Sequence, residues 1–451
     1  MAHYEHIKNI YFIGIGGIGM SALARYFSAQ GKNVAGHDRS SSALVDELEK
    51  EGIPVITSDK VEDLPSEFLE DKGSLIVYTP AISKTNAQYL HFTADSYQME
   101  KRAVVLGNLT EGHFTLAVAG THGKTTTSTI LAHLLKETGF QITAFLGGIS
   151  ENYQSNLILD GDKAMVVEAD EFDRSFLQLA PNIAAITSMD ADHLDIYGED
   201  AQIKESFRAF AALVPEDGKL FYANGLPLEG ISVGIEDDAD ITAENIGVKN
   251  GTYSFDLRTK EKIVSGFSLS LPGKHNLQNA VTALAMAIEF GAPPELLPGA
   301  LASFKGVQRR FSYRIKTENL VLIDDYAHHP TEIAAVHQAV REMHPGKKVL
   351  AVFQPHLFSR TRDFADDFAV SLSLFAEILL MDIYPAREEP IEGVDAEWLL
   401  KKIINKHKEK VSKMALSEVI LGKDTEVVVL MGAGDIGEEV EKIRKNLAGE
   451  N

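Results

Sequence analysis

Short runs of β-branched and apolar residues alternate with longer stretches in which apolar side chains return every three or four positions. This alternation continues along almost all of the 451 residues. It predicts strands alternating with helices, and therefore an α/β fold with mostly parallel sheets. Strands are predicted at Asn9–Ile13, Asn33–Gly36, Ser74–Tyr78, Thr115–Ala119, Ala164–Glu168, Ile183–Ser188, Leu320–Asp324, Val349–Phe353, Glu377–Asp382 and Glu426–Met431. The segment Ile231–Leu271 differs: its Gly-Thr-Tyr-Ser-Phe alternation and the turn residues at Lys249–Gly251 predict antiparallel strands. No internal repeat is visible. At ~150 residues per domain the length allows about three. Breaks near Gly107–Thr110 and near Phe311–Lys316 divide the chain into residues 1–107, 108–312 and 313–451.

Composition narrows the class. Apolar residues make up 45% and charged residues 24%, the ordinary mix of a globular protein. The net charge of −22 argues against nucleic acid as a partner, although small anions can still bind at local loops and helix ends. There is no cysteine, which excludes disulfides, thiolate metal sites and cysteine nucleophiles and suits a reducing cytoplasm. The opening MAHYEHIKN lacks an apolar signal core, and no run reaches the ~18 apolar residues of a membrane span. A cytoplasmic location with no membrane partner is the expectation.

Two glycine loops carry the chemistry. The first, Gly14-x-Gly16-Gly17-x-Gly19, follows a strand and opens a helix that Gly31 can end, with Asp38 about twenty residues on. Glycines let the backbone approach a diphosphate, the helix N-terminus supplies N–H groups, and the carboxylate can accept from ribose hydroxyls. The motif does not choose between NAD and a nucleoside-diphosphate sugar; the bland alternative is a tight packing turn.

The second loop, Gly120-Thr121-His122-Gly123-Lys124-Thr125-Thr126, departs from the usual P-loop because its glycines lie three apart rather than five. Its working end is intact. Gly123 permits close approach, Lys124 can reach β- and γ-phosphates, and the Thr125 hydroxyl can bind Mg²⁺. The apolar strand TLAVA leads straight into it, which disfavours a mere Lys/Thr-rich helix start. Two predicted strand ends then deliver Glu168, with Asp170 beside it, and His193 between Asp192 and Asp195. Glu168 and His193 suit Mg²⁺ or Mn²⁺. A lone acid there is more often a helix cap, but two such strand ends after one P-loop favour metal.

GTHGKTT, EADEFDRSFL and DADHLD resemble the ATP-binding core of the Mur ligases, the ATP-dependent peptidoglycan precursor ligases. GKHNLQNA, FKGVQRRF, DDYAHHPTE, FQPHLFSRTRDF and MGAGDI extend the resemblance over essentially the whole chain. It implies three domains: a Rossmann-like UDP-binding domain, a P-loop ATPase-like central domain with a small antiparallel portion, and a Rossmann-like amino-acid domain. It also implies a ligase joining L-alanine to UDP-N-acetylmuramate. The sugar's carboxylate attacks the γ-phosphate of ATP, and the amine of L-alanine displaces phosphate from the acyl phosphate.

The resemblance further assigns the first loop and Asp38 to the UDP-sugar, with His122 facing the same substrate. It assigns Thr125 and Glu168 to Mg²⁺–ATP, and His193 to a second metal. Asn276 and Asn279, three apart on one helix face, go to adenine or ribose rather than to simple capping. Arg310 goes to ATP phosphate and Asp325 to the nucleotide. His328, His356 and Arg360 take L-alanine, with His328 as the base candidate. Lys124, His193 and His328 are the catalytic candidates. Because the parts come from three domains, domain closure is expected to assemble the site, in a monomer or homodimer.

Two departures stand out. Leu357-Phe358 replaces an arginine-bearing pair that many members carry after Pro-His, which puts strict recognition of L-alanine in doubt. The helix AQIKESFRAFAALV offers Lys204 and Arg208 but no clear match to the carbamylated lysine of other members, so none is expected. The nearest alternative is the recycling ligase that attaches a murein peptide to the same sugar. An NAD-dependent oxidoreductase would leave the P-loop unexplained, and a non-catalytic nucleotide binder would leave the C-terminal His/Arg cluster unexplained.

Overall fold

The computed structural model describes residues 3–39, 42–95, 97–190, 200–249, 251–386 and 388–450. The chain divides into two compact units. One comprises residues 1–246, 255–268 and 278–305; the other comprises 247–254, 269–277 and 306–451.

The first unit carries a five-stranded parallel sheet in the order 55–56, 33–37, 9–13, 75–78, 98–101. Strand Asn9–Ile13 is buried throughout and sits where the strand order reverses. A ligand crevice opens at the carboxyl end of such a strand, and the first glycine turn lies there. The larger sheet runs 263–269, 252–258, 241–249, 231–235, 219–223, 183–186, 115–119, 164–168, 142–150, 155–159. Strand Thr115–Ala119, also fully buried, lies between parallel neighbours Ile183–Ile186 and Ala164–Glu168. The second glycine loop leaves its end.

Buried polar contacts fix these two sheets to each other. Helix Ile18–Ala29 buries Arg25, whose guanidinium grips Glu51 at 2.8 Å through both Nε and Nη2 and also donates to Asn156. Asn156 in turn donates to Ile18 O at 2.6 Å and to Ser21 Oγ at 2.9 Å. Apolar residues of both sheets, among them Ile10, Phe12, Val77, Ala117, Val167 and Ile186, join one core cluster. The two glycine loops are therefore held in one body.

Strand pairing corrects one expectation. Ile231–Ile235 and Ile241–Lys249 lie parallel, Val233 opposite Ile241, across a five-residue connection. Asp240 accepts from Ser232 N–H at 2.9 Å and from its hydroxyl at 3.0 Å, which ties the arch closed. Ile241–Lys249 and Thr252–Arg258 are neighbours joined by two residues, a connection open only to antiparallel strands.

The second unit is built on a six-stranded sheet in the order 312–316, 321–325, 427–431, 349–353, 377–380, 408–410. Only the first pair is antiparallel. Alternate residues feed opposite faces. Ile323, Ala351, Phe353, Val427 and Val429 enter one core, whereas Leu322, Leu350, Val352, Val428 and Leu430 enter another. Helices therefore cover both faces, and near-continuous apolar runs are what a doubly covered parallel strand requires.

No helix among the described residues is long and apolar enough to cross a membrane.

Candidate active site

At the first loop the chain must turn sharply out of a buried strand. Gly14 does so at φ +89°, and the N–H groups of Gly14 and Ile15 donate to His37 O at 2.8 and 3.0 Å. A Cβ on Gly16 would lie 2.8 Å from the Asp38 carboxylate, and one on Gly19 would lie 2.9 Å from the Arg102 guanidinium. Gly17 is the helix N-cap and has no side chain to occupy the N–H groups behind it. Gly14, Gly17, Gly19 and Asp38 line a cavity of about 770 Å³ that continues past Arg102 to Glu168 and Asp170. Asp38 also accepts from Gly16 N–H at 2.9 Å, so it braces the turn as well as facing the cavity.

Arg102 is a cation that motif reading missed. It opens helix Arg102–Thr110 and stands 3.5 Å from Asp170, at the junction of the two ends of the cavity. No spacing rule ties it to either glycine loop.

The second loop is clamped from the neighbouring strand. Ser188 Oγ accepts from His122 N–H at 2.7 Å and lies 2.9 Å from Thr121 Oγ1, while Thr121 Oγ1 accepts from Asp190 N–H at 3.1 Å. Gly120 at φ +138° passes so close to Thr187 that a Cβ would sit 2.1 Å from its hydroxyl. Gly123, in the left-handed region at φ +82°, caps helix Lys124–Glu137, whose first turn holds no acid. That leaves a helix N-terminus suited to an anion. Asn279 abuts Gly123, its Oδ1 only 2.4 Å from where a Cβ would be. Asn276 instead donates to Pro272 O at 2.7 Å, tying the first turn of its helix to the residue two before its start. His122 faces Asp190 at 3.7 Å and lies outside the lining of the large cavity.

Lys124 is held at the mouth of the loop. Its Nζ donates to Gly120 O at 2.7 Å and pairs with Glu171 at 2.7 Å. Burial works against the ammonium, but Glu171, Asp170 and Glu168 outweigh it and hold the group above its ordinary value. Glu171 is a second residue missed from sequence, where it reads as one of several acids after a strand. Glu168, at the end of strand Ala164–Glu168, lies against the backbone of Gly147, where a Cβ would be 2.0 Å from Oε2. Thr125 is buried in the first turn of the helix. His193 lies outside the described residues.

In the second unit, Arg309 and Phe311 both hold positive φ, +60° and +51°, on either side of Arg310. Asp325 maintains this strained turn, accepting from the N–H groups of Phe311 and Ala327 at 2.7 Å each. Burial pushes its carboxyl up to about 6, against Arg310 pulling it down. Each carboxylate oxygen thus accepts from one backbone N–H. The Arg309 and Arg310 guanidinium groups lie 5.1 and 5.2 Å from the centre of the Tyr326 ring.

The two adjacent histidines divide their work. His329 caps helix Pro330–Met343 in a capping box with Glu332. His328 turns Nδ1 to Tyr326 O at 3.0 Å and to Glu332 at 3.3 Å, and its ring meets His356 edge-on at 6.1 Å. His356 stacks on Tyr384 at 5.7 Å. Tyr384 carried no sequence signal. Leu357, at φ +71°, is buried and donates its N–H to Tyr384 O at 2.9 Å; Arg360 is buried on the short helix Phe358–Asp363. The position expected to carry an arginine is therefore a packed apolar wall.

These features define an α/β architecture with a P-loop-like turn in its central sheet, and three family models match the chain in series. They are the Mur ligase family catalytic domain over 9–114, the Mur ligase middle domain over 118–287 and the Mur ligase glutamate ligase domain over 309–434. The chain belongs to the Mur ligase family. It is 62% identical over 448 residues to the UDP-N-acetylmuramate–L-alanine ligase of Christiangramia forsetii, covering 99% of each chain. It is 58% identical over 443 residues to the enzyme of the same name from Flavobacterium psychrophilum, covering 98% of this chain and 99% of that one. The UDP-N-acetylmuramate-alanine ligase of Thermotoga maritima superposes with a TM-score of 0.84 at 27% identity, covering 98% of this chain and all of the other. A murein peptide ligase from Psychrobacter arcticus gives a TM-score of 0.72 at 21% identity over 98% of both chains, a likeness of fold alone.

Proposed function

We infer that the chain is an ATP-dependent ligase that joins L-alanine to the carboxylate of UDP-N-acetylmuramate in peptidoglycan precursor synthesis. Whole-length similarity to ligases of that name carries the substrate assignment. The observation that supports the chemistry is the continuous cavity in one compact unit. It runs from the first glycine turn to Glu168 and Asp170, two of the carboxylates that surround the Lys124 ammonium. A diphosphate handle at one end would place the attached carboxylate toward the other.

In this reading the sugar carboxylate oxygen attacks the γ-phosphorus of ATP, the bond to the β–γ bridging oxygen breaks, and ADP leaves. The α-amino nitrogen of L-alanine then attacks the acyl carbon, and phosphate departs as the amide forms. Lys124 offsets charge on the transferred phosphoryl group, and the Gly120–Thr126 loop holds ATP. Asn279, which stands against that loop, contacts the nucleotide in this reading, as do Asn276 and Asp325 by their motifs. Arg310 meets ATP phosphate. His328 accepts the ammonium proton, and His356 and Arg360 orient the amino acid.

The Thr125 hydroxyl and Glu168 carboxylate are hard oxygen donors that fit Mg²⁺, and Mn²⁺ as a substitute. Gly147, lacking a side chain, leaves room for the carboxylate. Bound Mg²⁺ supplies charge neutralisation between two anions that must meet. The His193 assignment to a second metal rests on the sequence motif. Domain boundaries at 107/108 and 312/313, a cytoplasmic setting and a monomer or homodimer complete the proposal.

The test is isotope transfer. With ¹⁸O in the sugar carboxylate, the acyl-phosphate route delivers one ¹⁸O to the released phosphate, read by mass spectrometry. Phosphate free of ¹⁸O would rule that route out.

A further inference from the structure

The cavity contains one costly group. His37, which ends strand Asn33–His37, is 3% exposed yet lines the cavity beside the first glycine turn. Among the described residues, neither ring nitrogen has a hydrogen-bond partner. Burial pushes its pKa down, against the pull of Asp38 and Asp59, so the ring is a neutral donor and acceptor. A buried polar atom left unsatisfied keeps the full penalty of its desolvation. An apolar side chain would avoid that cost, so the imidazole is retained for something that the unliganded chain lacks.

Its position says what. Residue 37 pairs with Ile56, and Thr57, Ser58 and Asp59 follow that short strand into the same cavity. This lobe lies on the far side of the glycine turn from Arg102 and Glu168, on the strands where the nucleoside end of a dinucleotide-type ligand lies.

We propose that His37 reads the pyrimidine base of the nucleoside-diphosphate sugar, a role that rests on the UDP-sugar reading above. Uracil presents a carbonyl, an N–H and a second carbonyl along one edge, and a neutral imidazole can donate to the first kind or accept from the second. Cytosine keeps one of these carbonyls but replaces the other by an amino group and the ring N–H by a bare nitrogen, so a contact to that altered part of the edge discriminates between them.

The experiment compares wild type with His37→Phe, which keeps the ring shape and removes both nitrogens, and with His37→Gln, which keeps a donor and an acceptor. Calorimetry measures UDP and CDP binding, kinetics give KM for the UDP-sugar and for ATP, and urea unfolding is followed without ligand. The expected result for His37→Phe is a ~3–10-fold loss of UDP affinity, a narrowed preference for UDP over CDP and an unchanged KM for ATP. Its unliganded unfolding midpoint should rise, because the orphaned nitrogens are gone, and His37→Gln should recover part of the affinity. Wild-type UDP affinity in His37→Phe would overturn the proposal. An equal loss for UDP and CDP would also overturn it, placing the contact on ribose, on diphosphate or on the carbonyl that both bases share. If wild type itself neither binds nor turns over the UDP-sugar, the failure belongs to the functional reading instead.

Discussion

Lys124 and Glu171 offer a perturbation whose parts can be separated. The lysine side chain is 14% exposed and Glu171 only 2%, with the charges 2.7 Å apart. Lys124→Ala removes the partner of a buried carboxylate, with Glu168 and Asp170 also acting on the site. Breaking a buried pair from one side costs ~3–5 kcal/mol, so the urea midpoint should drop markedly. Loss of a preorganised phosphate donor should also lower kcat by ~10²–10³.

Glu171→Gln keeps a hydrogen-bond acceptor for Nζ and removes only the charge. Its stability loss should be about 1.5–3 kcal/mol, the scale of one hydrogen bond to a charged group, and it should retain most of kcat. Its KM for ATP should fall, because phosphate no longer competes with a carboxylate for the ammonium. Steady-state phosphate release at saturating UDP-sugar and L-alanine, alongside urea unfolding, reads both effects. The reasoning fails if Lys124→Ala keeps kcat within threefold of wild type. It fails equally if Glu171→Gln is as inactive as Lys124→Ala, since Glu171 would then act in the reaction itself.

Further outcomes follow from single sites. Gly147→Ala should push the Glu168 carboxylate out of place, since the new Cβ would start 2.0 Å from Oε2; the Mg²⁺ concentration for half-maximal rate should rise ~10–100-fold, and an unchanged Mg²⁺ dependence would remove Glu168 from the metal site. Gly123→Ala forces a left-handed residue with a side chain against Asn279; at ~1–2 kcal/mol of strain the KM for ATP should rise about tenfold, and a wild-type KM would contradict the loop assignment. Asp325 carries a pH signature. Its folded pKa, about 6, lies above the unfolded value of 3.8, so the stability it contributes is full below about pH 4 and lost as pH rises through about 6. Relative to Asp325→Asn, wild type should gain up to about 3 kcal/mol from pH 7 to pH 4, and a flat difference in urea titrations would show the carboxyl to be unperturbed.

Fully buried strands were legible because both their faces are apolar: Asn9–Ile13, Thr115–Ala119, Ala164–Glu168 and Val349–Phe353 form where the runs predict. Edge strands were not. Gln98–Lys101 and Lys408–Lys410 close their sheets with sequences of mostly polar side chains, QMEK and KEK, that face solvent. The parallel arch at Ile231–Ala243 was misread because its short connection looks like a hairpin, whereas Asp240–Ser232 contacts tie it as a parallel arch. Within the site, residues tied to glycine geometry could be found from spacing. Arg102, Glu171 and Tyr384 could not, because each acts through a contact distant in sequence. Asp325 adds a contact that no motif predicts: both its carboxylate oxygens accept from backbone N–H groups of a strained turn.

The most direct test of the central claim is phosphate release from ATP with Mg²⁺ and UDP-N-acetylmuramate, comparing L-alanine with the recycled murein tripeptide as acceptor. Release that depends on L-alanine, with UDP-N-acetylmuramoyl-L-alanine as the product, is the predicted result. Release that requires the tripeptide, with L-alanine inert, would contradict the assignment and show that the buried Leu357 wall belongs to a site for a larger acceptor.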